Sequence, residues 1–275
     1  LKIALTILIG AFVFMADSAR AGTIPIGTTV ELDFNEGITD STGTFINSIQ
    51  IGLYDSTAPQ TVANFLKYVN SGEYDGTIIH RSVPNFVIQG GGYAIQTSSG
   101  TVSSLPAITS FGTVPNEYNA DDPNVAGTIS MALVGSDINS ATSQWFINTA
   151  DNSASLDPQS FTVFGQVLGN GMELVNAINS LTTQDLNSAY DPNYPADGDN
   201  GPFSQVPLTP DNQFLGITNA FVVAAPEPPT ALLGGVAALL FGSCVLIKRR
   251  LTRKHPGRIA KEKICCQQKY EEGDS

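Results

Sequence analysis

The chain has 275 residues, with 25 acidic and only 13 basic side chains, for a formal net charge of −12. That acid excess argues against a nucleic-acid or anionic-membrane-surface partner, since both are held by clustered cations. All three cysteines and one of the two histidines lie beyond residue 229, so residues 22–229 offer no disulfide, thiol nucleophile or transition-metal cluster.

Residues 1–21, LKIALTILIGAFVFMADSARA, set Lys2 before an apolar run from Ile3 to Met15 and finish on Ala19-Arg20-Ala21. That order predicts a secretory signal cleaved before Gly22, because the apolar run is too short to span a bilayer. The first residue is Leu, so the recorded start is expected to be wrong or non-standard.

Residues 22–222 are long enough for one substantial core and read as a single domain. Short β-rich runs recur through it. TVELDF alternates Val30, Leu32 and Phe34, and SIQIGLY alternates Ile49, Ile51 and Leu53. TIIHRSV, NFVIQGG, GTISMAL, SQWFINT, FTVFGQV and FLGITNAFVV follow, making eight predicted strands and suggesting a barrel or sandwich.

Two stretches carry helical spacing instead. STAPQTVANFLKYVNSG has Pro59 near its start, Val62, Phe65, Leu66 and Val69 on one face, and Gly72 as a stop. GMELVNAINSL puts Leu174, Val175, Ile178 and Leu181 on one face. Residues 182–213 are rich in Asn, Asp and Pro and read as an elaborated loop. ADGDNG, 196–201, spaces carboxylates as a calcium loop would, but no Glu closes it, so a turn is expected.

Residues 223–229 form a Pro-rich linker. Thr230 to Ile247, TALLGGVAALLFGSCVLI, then runs without a charge into Lys248-Arg249-Arg250. As a helix it reaches about 27 Å, close to a hydrocarbon core of about 30 Å, with the basic tail 248–275 staying cytoplasmic. Residues 22–229 are then outside the cytoplasm.

Setting the ends aside sharpens the charge argument. Residues 22–247 hold only two basic side chains, Lys67 and Arg81, against twenty acids, a balance near −18. All three cysteines (Cys244, Cys265 and Cys266) lie in the span or tail. A region this poor in cations nevertheless places its one arginine beside its one histidine, in HRSVPNFVIQGGG, residues 80–92.

Three ordered segments carry a resemblance. They are LYDSTAPQTVANFLKYVNSGEYDGTIIHRSVPNFVIQGGG, NEYNADDPNVAGTISMAL and SQWFINTADNSASLDPQSFTVFGQVLGNGMELVNAI. Together they resemble the cyclophilins, prolyl isomerases built on a closed eight-stranded antiparallel β-barrel capped by two α-helices. The family pattern F-H-R-x-x-x-x-F-x-x-Q-G-G is met at His80, Arg81, Phe86, Gln89, Gly90 and Gly91, with Ile79 replacing the leading Phe.

The resemblance implies that Arg81 is the catalytic guanidinium and that Phe86, Phe146 and Leu156 line a proline pocket. Val87 stands where the family usually has Met, and Phe161 takes the place of a common pocket His. Gln89 and Gln144 are implied as polar supports, and Ala132 as a backbone contact to substrate. His80 is implied to be structural, and Trp145 to be core packing.

The chain departs from the family at Leu133, where Asn is frequent, at Ser155, a usual Trp, and by two residues inserted between Met131 and Gln144. Ser155 implies weak cyclosporin sensitivity.

The chemistry suits these residue types. X–Pro isomerisation is slow because twisting the amide loses resonance, at about 18–20 kcal/mol. A permanent donor such as Arg can bond the prolyl nitrogen in the twisted state alone. No cofactor or metal is expected.

The reading is therefore an exported prolyl isomerase acting on X–Pro bonds of exported polypeptides, monomeric, from a Gram-negative bacterium. PEPPTALLGGVAALLFGSCVLIKRR resembles a PEP-CTERM sorting signal, which implies exosortase processing or a plain membrane anchor in the periplasm or envelope. The alternative is a catalytically weak cyclophilin-like peptide-binding or matrix protein. A serine hydrolase is a poorer one, since no G-x-S-x-G elbow is present.

Overall fold

The structure is a computed structural model that describes residues 26–40, 42–191, 193 and 201–223. The expected signal (1–21), the linker beyond residue 223, the apolar span, the basic tail and all but the last residue of the turn at 196–201 lie outside the described residues. No helix among the described residues is long and apolar enough to cross a membrane.

In chain order the described elements are β1 (Thr29–Thr39), β2 (Phe45–Leu53), α1 (Pro59–Ser71), β3 (Arg81–Val83), β4 (Val87–Gly90), β5 (Gln96–Ser98) and β6 (Thr101–Ser104). Then come β7 (Thr128–Met131), β8 (Trp145–Asn148), α2 (Ser153–Leu156), β9 (Val163–Val167) and α3 (Gly171–Asn179). β10 (Thr183–Gln184), α4 (Asn187–Tyr190), β11 (Val206–Pro207) and β12 (Ile217–Val223) complete the set.

The eight runs predicted as strands supply one eight-stranded sheet, in the order β12-β1-β2-β9-β7-β8-β4-β3. Every neighbouring pair is antiparallel. Alternation explains the inward face. Val30, Leu32 and Phe34 of β1 and Ile49, Ile51 and Leu53 of β2 are buried in one apolar core.

The expected complete barrel closure takes a lesser form, a curled half-barrel. β12 and β3 are the two ends of the sheet order, with no ladder between them. The residues just ahead of them meet through a single bridge, Ile78 to Gly216. Gly76 and Ile79 donate N–H groups to the Ile217 and Leu215 carbonyls, and Ile217 donates to Thr77. The seam stops there because β3 is only three residues long, and Ser82 N–H is already given to the Gln205 carbonyl.

Both predicted long helices are present. α1 has Pro in its first turn and closes on Gly72, whose N–H reaches the Tyr68 and Val69 carbonyls. Its buried face is Thr61, Val62, Phe65, Tyr68 and Val69, with Leu66 only half-buried. Phe65 packs on Tyr74 and Phe164 at ring distances of 5.3 and 5.1 Å. α3 buries Leu174, Val175 and Ile178 and ends before Leu181.

The stretch 182–213, expected as loop, carries β10, α4 and β11 among its described residues. Phe203, Val206 and Leu208 from it join Ile78 and Leu105 in a second, smaller apolar cluster. Residues 93–105 hold the hairpin β5–β6, which no sequence pattern announces.

Candidate active site

Register places the central side chains. Across β3, β4, β8 and β7, Arg81 lies opposite Gln89, Gln89 opposite Phe146, and Phe146 opposite Ser130. Opposed residues share a face. The adjacent row contains Ile88, Ile147 and Ile129, all fully buried in the main core. Arg81, Gln89 and Phe146 therefore stand on the outer face of the sheet.

On that face Val87, Phe146 and Leu156 make a separate buried cluster, with Phe86, Ala132 and Phe161 packed against it. The Phe146 and Phe161 rings meet edge to face at 5.5 Å. Six of the expected substrate-binding residues thus form one apolar shelf. Gln89 and Gln144 are joined instead to each other, Gln89 Nε2 donating to Gln144 Oε1 at 2.9 Å. Leu133 packs against the main core, and Trp145 is fully buried, as expected of packing.

Arg81 is half-buried, and burial pulls its guanidinium pKa below the usual value, though guanidinium stays cationic at any ordinary pH. Among the described residues its side chain enters no hydrogen bond or ion pair. Its donors are uncommitted beside the shelf. Two strand spacings, about 9–10 Å, separate its backbone from that of Phe146, so a small ring resting on Phe146 comes within reach of the guanidinium.

His80 differs. It is buried, its Nδ1 has no hydrogen-bond partner among the described residues, and burial, followed by the Arg81 charge, pushes its pKa down to about 4. A neutral, enclosed imidazole packed at 5.0 Å on Tyr93 is a structural residue, not an accessible base.

The glycine run is explained by close approach. A Cβ on Gly91, whose φ is +74, would sit 2.7 Å from Trp145 Nε1 and 2.8 Å from the Ser143 carbonyl oxygen. A Cβ on Gly92 would meet Gln144 Cδ at 2.8 Å. These glycines let β4 lie flat against the segment that delivers Gln144 and Phe146.

Sequence reasoning missed the polar frame under the shelf. Asn152 Nδ2 donates to the Phe86 carbonyl at 2.8 Å and to Asn148 Oδ1 at 2.7 Å. Asn124 donates to Asp157 Oδ1 at 2.8 Å and to the Phe161 carbonyl at 3.2 Å, and accepts from Ser130 Oγ at 2.7 Å. Asn179 accepts from Asn85 N–H and donates to Ser82 Oγ and the Val83 carbonyl, pinning the β3–β4 turn. The only sequence signal was the density of Asn in short polar runs, which reads equally as loop.

The arrangement offers a free cationic donor beside a fixed apolar shelf, and His80 is closed off from acid–base work. The chain matches the family described as cyclophilin type peptidyl-prolyl cis-trans isomerase over residues 38–196. It is similar to peptidyl-prolyl cis-trans isomerase A of Dickeya dadantii, 39% identical over 171 residues, which span 61% of this chain and 77% of that protein. A peptidyl-prolyl cis-trans isomerase of Acinetobacter baylyi is 39% identical over 143 residues, spanning 51% of this chain and 71% of its own. The solved structure of a cyclophilin type isomerase from Cryptosporidium parvum aligns with 72% of this chain and 99% of its own, at 20% identity and a TM-score of 0.47. A family match across more than half of the residues, with relatives named for one reaction, shows that this chain belongs to the cyclophilin-type peptidyl-prolyl cis-trans isomerases.

Proposed function

We propose that Arg81 is the catalytic group of this isomerase and that Phe86, Val87, Ala132, Phe146, Leu156 and Phe161 hold the proline ring. In the twisted state the prolyl nitrogen regains a lone pair, and the guanidinium donates to it. Neither planar ground state offers that acceptor, so the bond favours the transition state selectively. One charge-assisted hydrogen bond, about 1.5–3 kcal/mol, accounts for about 10- to 150-fold. Further acceleration comes from the apolar shelf, which excludes water around that bond and fixes the ring while the preceding carbonyl turns. Gln89 and Gln144, bonded to each other, keep a polar rail between Arg81 and Phe146.

The observation that carries this reading is the uncommitted Arg81 side chain beside the shelf. Its test is NMR exchange spectroscopy on an X–Pro peptide with the full chain and its Arg81→Lys variant. The expected result is a 10- to 100-fold loss of catalysed exchange in the variant. Equal rates in both would remove Arg81 from the mechanism. Peptide binding without acceleration by the parent chain would favour the alternative, a peptide-binding or matrix module.

The rest of the reading is cellular and rests on sequence. We propose a domain spanning 22–222, exported by the 1–21 signal, acting as a monomer on exported polypeptides. The 230–247 segment anchors it or is processed by an exosortase-type enzyme. The short seam at 76–79 and 215–217 serves on this reading as the closure of the barrel. Cell fractionation with immunodetection tests the location, and a purely cytoplasmic signal would refute it.

A further inference from the structure

A groove of about 220 Å³ lies beside the proposed proline shelf, between Leu133, Gly135, Ser136 and Ile138 on one side and Pro158 to Phe161 on the other. It adjoins the shelf in two ways. Phe161 lines the groove and also packs against Val87, Phe146 and Leu156. Leu133 follows Ala132, a shelf residue, directly in the chain.

The groove wall is unusual for this surface. Ile138, which lines it, is 42% exposed, and Val134, between the lining residues Leu133 and Gly135, is 75% exposed; they are two of only six large apolar side chains so exposed among the described residues. Solvent-exposed apolar groups gathered beside a concave site mark a binding surface rather than scattered background.

The wall is also preformed. Val134 N–H donates to Ser140 Oγ at 2.7 Å, Ser140 N–H to the Asp137 carbonyl at 3.2 Å, and Asn139 N–H to Asp137 Oδ1 at 2.9 Å. Asn116 ties the two sides together, its Nδ2 reaching the Ser160 carbonyl at 2.7 Å and the Ile138 carbonyl at 3.2 Å, while its N–H donates to Asn139 Oδ1. A groove held open by its own hydrogen bonds spends little binding energy on ordering.

We propose that this groove is a specificity subsite that takes an apolar side chain of the substrate polypeptide, close to the proline on one side of the rotating X–Pro bond. The proposal rests on the function proposed above, since the shared Phe161 wall matters only if the shelf holds proline. The occupant is a substrate segment rather than a second copy of the chain, because the groove shares its Phe161 wall with the shelf and its volume suits one side chain. Leu or Ile fits its volume and can pack on Leu133, Ile138, Pro158 and Phe161 of its lining. An acidic residue there would bring a second carboxylate near Asp137, which lies in the chain between the lining residues Ser136 and Ile138.

The test uses the full chain and a peptide series with one Pro, in which Leu or Gly is placed in turn at each position on either side of the X–Pro pair. Catalysed exchange is measured by NMR for the parent chain and for Val134→Ser/Ile138→Ser. The expected result is one position at which Leu raises kcat/KM about tenfold over Gly, about 1.4 kcal/mol, chiefly through KM. That ratio falls toward one in the double variant, and methyl resonances of Leu133 and Ile138 in the parent chain shift with the Leu peptide only. Equal rates for Leu and Gly at every position, or a preference that survives the double variant, would overturn the subsite while leaving Arg81 and the shelf standing. Absence of catalysed exchange on every peptide would overturn the proposed function and the subsite together.

Discussion

Gly91→Ala tests whether the glycine run is there for close approach. The added Cβ lies 2.7 Å from Trp145 Nε1 and 2.8 Å from the Ser143 carbonyl oxygen, and the residue sits at φ +74. The left-handed conformation alone costs an Ala residue about 1–2 kcal/mol. The clash adds about 1–3 kcal/mol, because Ser143 O is backbone and Trp145 is fully buried, so neither can swing aside. The total, about 2–5 kcal/mol, lowers the melting temperature of a domain this size by about 5–15 °C. Gly100→Ala is the control, with φ +81 and nothing within 4 Å of its Cβ. It carries the backbone cost without the clash. Thermal unfolding followed by circular dichroism should rank Gly91→Ala clearly below Gly100→Ala, with isomerase activity reduced only in the former as Gln144 and Phe146 shift. Equal melting temperatures for the two variants would refute the close-approach argument.

Asn152→Ala removes donors to Phe86 and Asn148 and leaves a buried carbonyl without that partner, a loss of about 1–3 kcal/mol. Urea unfolding should show it, with KM for an X–Pro peptide raised because Phe86 loosens; unchanged stability would sink the framing role of the asparagines. His80 is pushed down to about 4 in the folded chain from 6.5, so between those values the unfolded state binds the extra proton. Its stabilising contribution is therefore whole above about pH 6.5 and declines as pH falls, with on the order of 3 kcal/mol gone near pH 4. His80→Gln should flatten that slope in urea unfolding at pH 7 and pH 4.5, and an identical slope in both chains would exclude His80 as its source. Ser155, exposed and donating its Oγ–H to the Asn152 carbonyl, is by resemblance at the position where the family usually has Trp. Cyclosporin should inhibit weakly, and Ser155→Trp should strengthen inhibition at least several-fold by adding buried aromatic area; unchanged inhibition would show that the position does not govern sensitivity.

Local chemistry was readable in the sequence where a short period settles it. Alternation along HRSV and NFVIQG puts Arg81, Val87 and Gln89 on one face without knowledge of the partner strands, and antiparallel register then brings Phe146 opposite Gln89. Helical spacing found α1 and α3 but chose Leu66 over Tyr68. Tyr68 is fully buried because its hydroxyl finds the Phe111 N–H at 2.9 Å, a partner 43 residues away that no local pattern reveals. How far the two ends of the sheet pair was not legible for a similar reason. The Ser82 N–H of β3 goes to the Gln205 carbonyl, from a loop with no periodicity, rather than to β12.

The same division explains what holds the site in shape. Arg81, Phe86 and Gln89 fall within nine residues of one another, so their identity and spacing survive in the linear text. Their rigidity depends on asparagines distant in the chain: Asn179 binds Asn85 across 94 residues and Asn152 binds Phe86 across 66. On the proposed mechanism, a donor that must meet a transient lone pair is useful only if its distance from the shelf is held to a fraction of an ångström. Within this chain the turn between β3 and β4 carries Phe86 at its end and Asn85 at φ 54, a conformation that non-glycine residues visit rarely. Asn179 and Asn152 both bind that turn, so buried amides from α3 and from the loop before α2 hold the connection between the strand that carries Arg81 and the strand that carries Gln89.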